Sequence, residues 1–168
     1  DFPTGDGPRS VAAGDFNGDG KRDLAVVNLN SNTVAVLLNT SDPGAAVIRF
    51  GPLHDFPTGN RPISIAVGDV NGDGKLDMAI ANILSNTVSV LLNTTTPGAN
   101  TPSFSARQNF ATNFNPSAIT IGDLNGDGKP DVAAADSNAD SISVLANMTA
   151  PGAEAPSPFR TTGWFSCR

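Results

Sequence analysis

A 54-residue unit runs three times through this chain without a gap, and nothing else in the sequence limits the fold so tightly. Residues 1–54, 55–108 and 109–162 align column for column, and eighteen of the 54 columns are identical in all three copies. Repetition at a fixed period means that one supersecondary unit is copied and that neighbouring units bury each other's apolar faces. The expected division is therefore 1–54, 55–108 and 109–162, with 163–168 as a tail.

Within each copy the local signals are those of strands. Ser10–Gly14, Ser64–Gly68 and Ala118–Gly122 are small or β-branched stretches that run into an Asp-rich, Gly-rich loop. After the loop come Leu24–Leu29, Met78–Ile83 and Val132–Ala135, a polar break, and then Thr33–Leu38, Thr87–Leu92 and Ser141–Leu145. A Pro-Gly-Ala connection at Pro43, Pro97 and Pro151 leads to a fourth strand ending near Phe56 and Phe110. Runs such as Val34-Ala35-Val36-Leu37-Leu38 are apolar on both faces, so each sheet needs cover on both sides. Gly, Asn and Pro recur too often for a helix. The unit is slightly longer than the roughly 40–50 residues of a propeller blade. The expected fold is all-β: a β-propeller segment of four-stranded antiparallel blades, three in this chain.

Chemistry concentrates in one loop. Asp15-Phe16-Asn17-Gly18-Asp19-Gly20-Lys21-Arg22-Asp23 returns at Asp69–Asp77 and Asp123–Asp131, in the form D-x-N-x-D-G-x-x-D. Nine of the fifteen Asp lie in these loops, where like charges repel unless a cation offsets them. Calcium takes six to eight oxygens, and donors at alternate positions wrap one turn of chain around it. The expected ligands are the side chains of Asp15, Asn17, Asp19 and Asp23 with the carbonyl of Lys21. In the second loop they are Asp69, Asn71, Asp73 and Asp77 with the carbonyl of Lys75. The third loop offers Asp123, Asn125, Asp127 and Asp131 with the carbonyl of Lys129. Three calcium ions per chain follow. The pattern is not an EF-hand, because position 12 is Val26, Ile80 or Ala134 instead of Glu.

The Gly-Asp junctions at Gly14, Gly68 and Gly122, the nine-residue loop and the D-[LMV]-A-[VIA] strand after it resemble the FG-GAP or VCBS repeats of integrin α-subunit propellers and bacterial secreted proteins. The resemblance covers nearly the whole chain, although the Phe-Gly and Gly-Ala-Pro signatures are only partly present. It implies a propeller of four-stranded blades with calcium on one rim, and no catalytic residues. It also implies an extracellular role in adhesion or in carbohydrate or protein recognition. A structural scaffold, or a fragment of a larger secreted propeller without its own ligand site, is the alternative.

Catalysis finds little support, with no Tyr, one His (His54), one Cys (Cys167) and one Glu (Glu154). A net charge of −6 speaks against nucleic acid, and no apolar run is long enough for membrane insertion. Nothing at the N-terminus of this sequence resembles a basic, apolar signal segment, so a mature or excised chain is expected. Asn39, Asn93 and Asn147 match the N-glycosylation pattern, yet their 54-residue spacing favours a structural capping role. Asn28, Asn82 and Asp136 are expected to bond the backbone of a neighbouring blade, and Phe2, Phe56 and Phe110 to anchor blade packing. Three blades do not close a ring, since propellers use about four to eight. The expected partners are a second copy, closing a six-bladed homodimer, or further blades of a longer chain.

Overall fold

The structure, a computed structural model, describes residues 1–152 and 159–166. The strands fall into three sheets of four, and the fourth strand of each runs across the end of its 54-residue repeat. The first sheet holds β1 (Pro8–Gly14), β2 (Asp23–Asn28), β3 (Thr33–Asn39) and β4 (Phe50–Pro57). The second holds β5 (Pro62–Gly68), β6 (Asp77–Asn82), β7 (Thr87–Leu91) and β8 (Gln108–Ala111). In the third are β9 (Pro116–Gly122), β10 (Asp131–Asp136), β11 (Ser141–Ala146) and β12 (Arg160–Ser166). Every sheet is an antiparallel meander in chain order, and the described residues include no helix. Residues 163–166, set apart as a tail by the repeat count, are the end of β12, whereas Cys167 and Glu154 lie outside the described residues.

The hairpin between second and third strands turns through Asn32, Asn86 or Asp140, at φ of 57°, 51° and 46°. Asn and Asp adopt this left-handed region more readily than other side chains. Leu29 N donates to Gly7 O, Ile83 N to Arg61 O and Ser137 N to Asn115 O, so each hairpin tip is tied to the entry of its own sheet.

Apolar residues on both faces are explained by how the sheets stack. One core joins Ala25, Val27, Val34 and Val36 of the first sheet to Ile65, Met78, Ile80 and Leu91 of the second. Another joins Ala79, Val88 and Val90 to Val132, Ala134 and Leu145 of the third. Strand alternation makes this possible, since successive side chains of β6 point into different cores. Burial at roughly 25 cal/mol per Å² of apolar area makes these two interlayer cores the main source of stability. A Cβ on Gly14 would meet Leu76 Cδ1 at 2.6 Å, and one on Gly68 would meet Ile121 Cγ2 at 3.0 Å, so the next sheet leans directly on the backbone there. Phe56 lies edge-on to Phe104 and Phe110 to Phe159, with centroids 5.0 and 5.2 Å apart, as expected of packing anchors. Among the described residues no sheet stands against the outer faces of the first and third sheets, so the stack is open.

Candidate metal centre

Each nine-residue loop connects the first strand of a sheet to the second and is built around its first carboxylate. Asp15 Oδ1 accepts hydrogen bonds from Gly18 N (2.7 Å) and Asp19 N (3.2 Å), and its Oδ2 accepts one from Gly20 N (2.8 Å). Asp69 gathers Gly72, Asp73 and Gly74 at 2.7, 3.1 and 2.8 Å. Asp123 takes Gly126 and Gly128 at 2.7 and 2.9 Å. Such a wrap needs positive φ at positions 4 and 6, and Gly18 and Gly20 stand at 68° and 85° with matching values in the other loops. Glycine at position 4 was not part of the sequence argument; only the fold shows why that column never varies.

The remaining donors are held by the same means. Asn17, Asn71 and Asn125 each accept the amide two residues on, at 3.3, 3.2 and 2.8 Å. Asp19, Asp73 and Asp127 accept from Lys21, Lys75 and Lys129, at 2.9 Å in every loop. The ninth residue is buried and acts as a brace. Asp23 accepts Phe16 N (2.8 Å) and Asn39 N (2.7 Å), Asp77 accepts Val70 N (2.9 Å) and Asn93 N (2.7 Å), and Asp131 accepts Leu124 N (3.0 Å) and Asn147 N (2.8 Å). It thus ties its loop to the end of the third strand.

Electrostatics divide the carboxylates into two kinds. Burial pushes Asp77 up to about 7, with Asp73 and Asp69 adding repulsion and the amides of Asn93 and Val70 opposing it. Asp23 is raised for the same reasons, burial first. Exposed Asp123 is lowered by the amides of Gly128 and Gly126. Among the described residues, no three His, Cys, Asp or Glu side chains stand close enough to hold a metal ion by themselves. An ion here would need the Asn oxygen, a main-chain carbonyl and water besides the carboxylates. That donor set fits calcium in kind: every side-chain donor is a hard oxygen, and a carboxylate oxygen that accepts one N–H keeps a second lone pair.

Residues outside the loops turn out to hold one repeat to the next. Asn93 Nδ2 donates to Phe16 O (2.9 Å), the second residue of the preceding loop, and Asn147 Nδ2 donates to Val70 O (2.7 Å). Gly98 N donates to Asn17 O (2.6 Å) and Gly152 N to Asn71 O (2.7 Å). The Asn-x-Thr and Pro-Gly columns are therefore clasps on the previous loop. The expectation for Asn28, Asn82 and Asp136 needs correction: their bonds stay inside their own sheets, to Thr33, to Thr87 and Ser89, and from Ser143. One side-chain oxygen of each is buried with no partner among the described residues. These residues close their own hairpins instead of reaching the next sheet.

Clefts open beside the loops, one of about 560 Å³ lined by Asn71, Asp73, Lys75, Asn93 and Gly152, and one of about 290 Å³ between the first two loops, lined by Asp15, Asn17, Asp73 and Lys75. A family model described as FG-GAP-like repeat matches residues 15–80 and 76–134, a span that contains all three loops. No curated protein matches the chain significantly.

Proposed function

The chain belongs to the FG-GAP-like repeat family, and from that premise we propose that it is a segment of a β-propeller, stabilised by calcium at its three loops, that serves as an extracellular interaction module. The observation that carries the calcium reading is the loop geometry repeated three times. A leading carboxylate collects the loop amides, while a buried one at position 9 sits in the repulsion of its neighbours, with Asp77 at about 7. A divalent cation would relieve that repulsion and draw the carboxylates inward. Asp15, Asn17, Asp19 and Asp23 and their counterparts would hold it; the ion supplies charge neutralisation and rigidity, not chemistry.

An extracellular setting fits the affinity class. Modules of this kind bind calcium at about 10⁻⁴–10⁻³ M, which suits millimolar calcium outside cells. The ligand of the module is a glycan or a protein, and the clefts beside the loops are where such a ligand would sense the metal. Among the described residues no pair of groups tuned for acid–base or nucleophilic work accompanies them, and the role proposed is recognition.

Calorimetric titration of chelator-treated protein tests the proposal. Three ions per chain and a melting temperature that falls on chelation are expected. A stoichiometry near zero overturns the calcium reading. Glycan-array binding that persists unchanged in chelator would separate recognition from the metal.

A further inference from the structure

We propose that the two outer faces of the stack are the halves of one interface, and that a second copy of this chain docks on them head to tail. The inference rests on the propeller reading of the fold but not on calcium. Its basis is the repeat-to-repeat interface, which occurs twice inside the chain, so that its parts can be named at the two open ends.

Apolar positions come first. Phe16 and Val70 are 2% and 3% exposed beneath the following repeat, but Leu124, in the same column, is 55% exposed. Val34 and Val88 are fully buried while Ile142 is 42% exposed. On the opposite end, Ile65 is 8% exposed against the preceding sheet, but Val11 is 60% exposed. These are core positions left without their neighbour. A Cβ on Gly122 meets nothing within 4 Å, in contrast to Gly14 and Gly68, so the seat for a following sheet is vacant there too.

The polar groups have a direction. Asn17 Nδ2 donates from an earlier repeat to a later one, to Ala99 O (3.0 Å), but most of the bonds across the internal junctions run from a donor in the later repeat to an acceptor in the earlier one. The clasps on Phe16 O, Val70 O, Asn17 O and Asn71 O run this way. So do Arg61 N to Asn32 Oδ1 (2.7 Å) and Asn115 N to Asn86 Oδ1 (2.9 Å). Carried one repeat further, the third sheet offers the carbonyls of Leu124 and Asn125 and the side chain of Asp140, and among the described residues no donor reaches them. The first repeat offers Gly44 N and Gly7 N, unmatched among the described residues, and Asn39 Nδ2, which spends only one of its two hydrogens, on Arg22 O. Asn39 is half-buried where Asn93 and Asn147 are buried. The first sheet thus presents the counterparts of the groups that the third sheet leaves unmatched, so opposite ends match group for group.

Phe2 lies edge-on to Phe50 at 5.0 Å, as Phe56 does to Phe104, so residues 1–3 stand where the end of a preceding outer strand would pack. β12 places Phe165 at the register position of Phe56 and Phe110. Docking therefore exchanges residues 1–3 for the end of the partner's β12. Two copies give six sheets, within the roughly four to eight that close a ring.

Light scattering on the purified 168-residue chain, run in calcium and again in chelator, tests the inference. The expected species has twice the 17.1 kDa mass. Val11→Asp and Leu124→Asp, both at exposed positions, should each weaken association on the order of a hundredfold by burying an unpaired charge. Circular dichroism confirms that the variants stay folded. Mixed together, the two variants regain one intact junction and should form a dimer-sized species again. A wild-type chain that is monomeric at roughly 100 μM, well above the Kd range of specific interfaces, overturns the inference, as does a mass of three or more copies. So does a Leu124→Asp variant that still dimerises alone, because like ends would then be pairing. Loss of calcium binding shows in the titration and leaves this result untouched.

Discussion

Replacing Asn93 with alanine should destabilise the chain by about 2–6 kcal/mol, whereas the same change at Asn39 should cost only about 0.5–1 kcal/mol. The Asn93 side chain links two repeats: its Nδ2 donates to Phe16 O and its Oδ1 accepts Thr95 N, each at 2.9 Å and each in a buried setting. Alanine leaves a buried carbonyl and a buried amide without partners, at about 1–3 kcal/mol apiece. At Asn39 the Ser41 N and Arg22 O bonds, 2.9 and 3.0 Å, lie nearer solvent, so water replaces what the side chain gave. Asn147 bonds Val70 O and Pro130 O at 2.7 and 2.9 Å and should behave like Asn93. For a chain of this size, 3 kcal/mol corresponds to a melting temperature lower by roughly 6–12 °C. Urea denaturation followed by far-UV circular dichroism measures it. The comparison belongs in the Leu124→Asp background, where no second copy covers Asn39. Losses at Asn39 and Asn93 equal within about 0.5 kcal/mol, the usual error of such differences, would refute the claim that this column clasps the preceding loop.

Asp77 gives the chain an unusual pH response. Its folded pKa near 7 lies above the unfolded value of 3.8, so its contribution is complete below pH 3.8 and is lost as pH rises through about 7. In chelator, stability should therefore rise by about 4 kcal/mol as the pH falls across that window, while with calcium acidification should destabilise because protons compete with the ion. Stability in chelator that declines steadily from pH 7 to pH 5 would contradict the assignment. Glycosylation should spare Asn93 and Asn147, whose Nδ2 atoms are buried donors. Mass spectrometry of folded protein from a glycosylating host should find sugar at Asn39 or nowhere.

The repeat, the all-β class and the phase of three strands per unit were legible in the sequence, because a period of 54 and apolar runs bounded by Gly and Asn depend on local chemistry alone. The loop was legible for the same reason: its wrap is made by residues within nine positions of one another, and Gly20 and Asp15 must be what they are for the turn to form. Four strands were expected in the last repeat as in the others, but the fourth could not be placed and its end was set apart as a tail, because its partner, β11, lies across a long connection and β12 has no matching column pattern. Tertiary structure alone decided what Asn39, Asn93 and Asn147 do. As isolated Asn-x-Thr or Asn-x-Ser signals they suggested caps or glycan sites, and only the neighbouring repeat's carbonyl, 77 residues away in sequence, turns two of them into clasps. Asn28 and Asn82 carry the opposite lesson. A polar residue in an apolar strand announces that it needs a partner, but whether the partner stands within the sheet or across the stack depends on which face the register turns toward the neighbour.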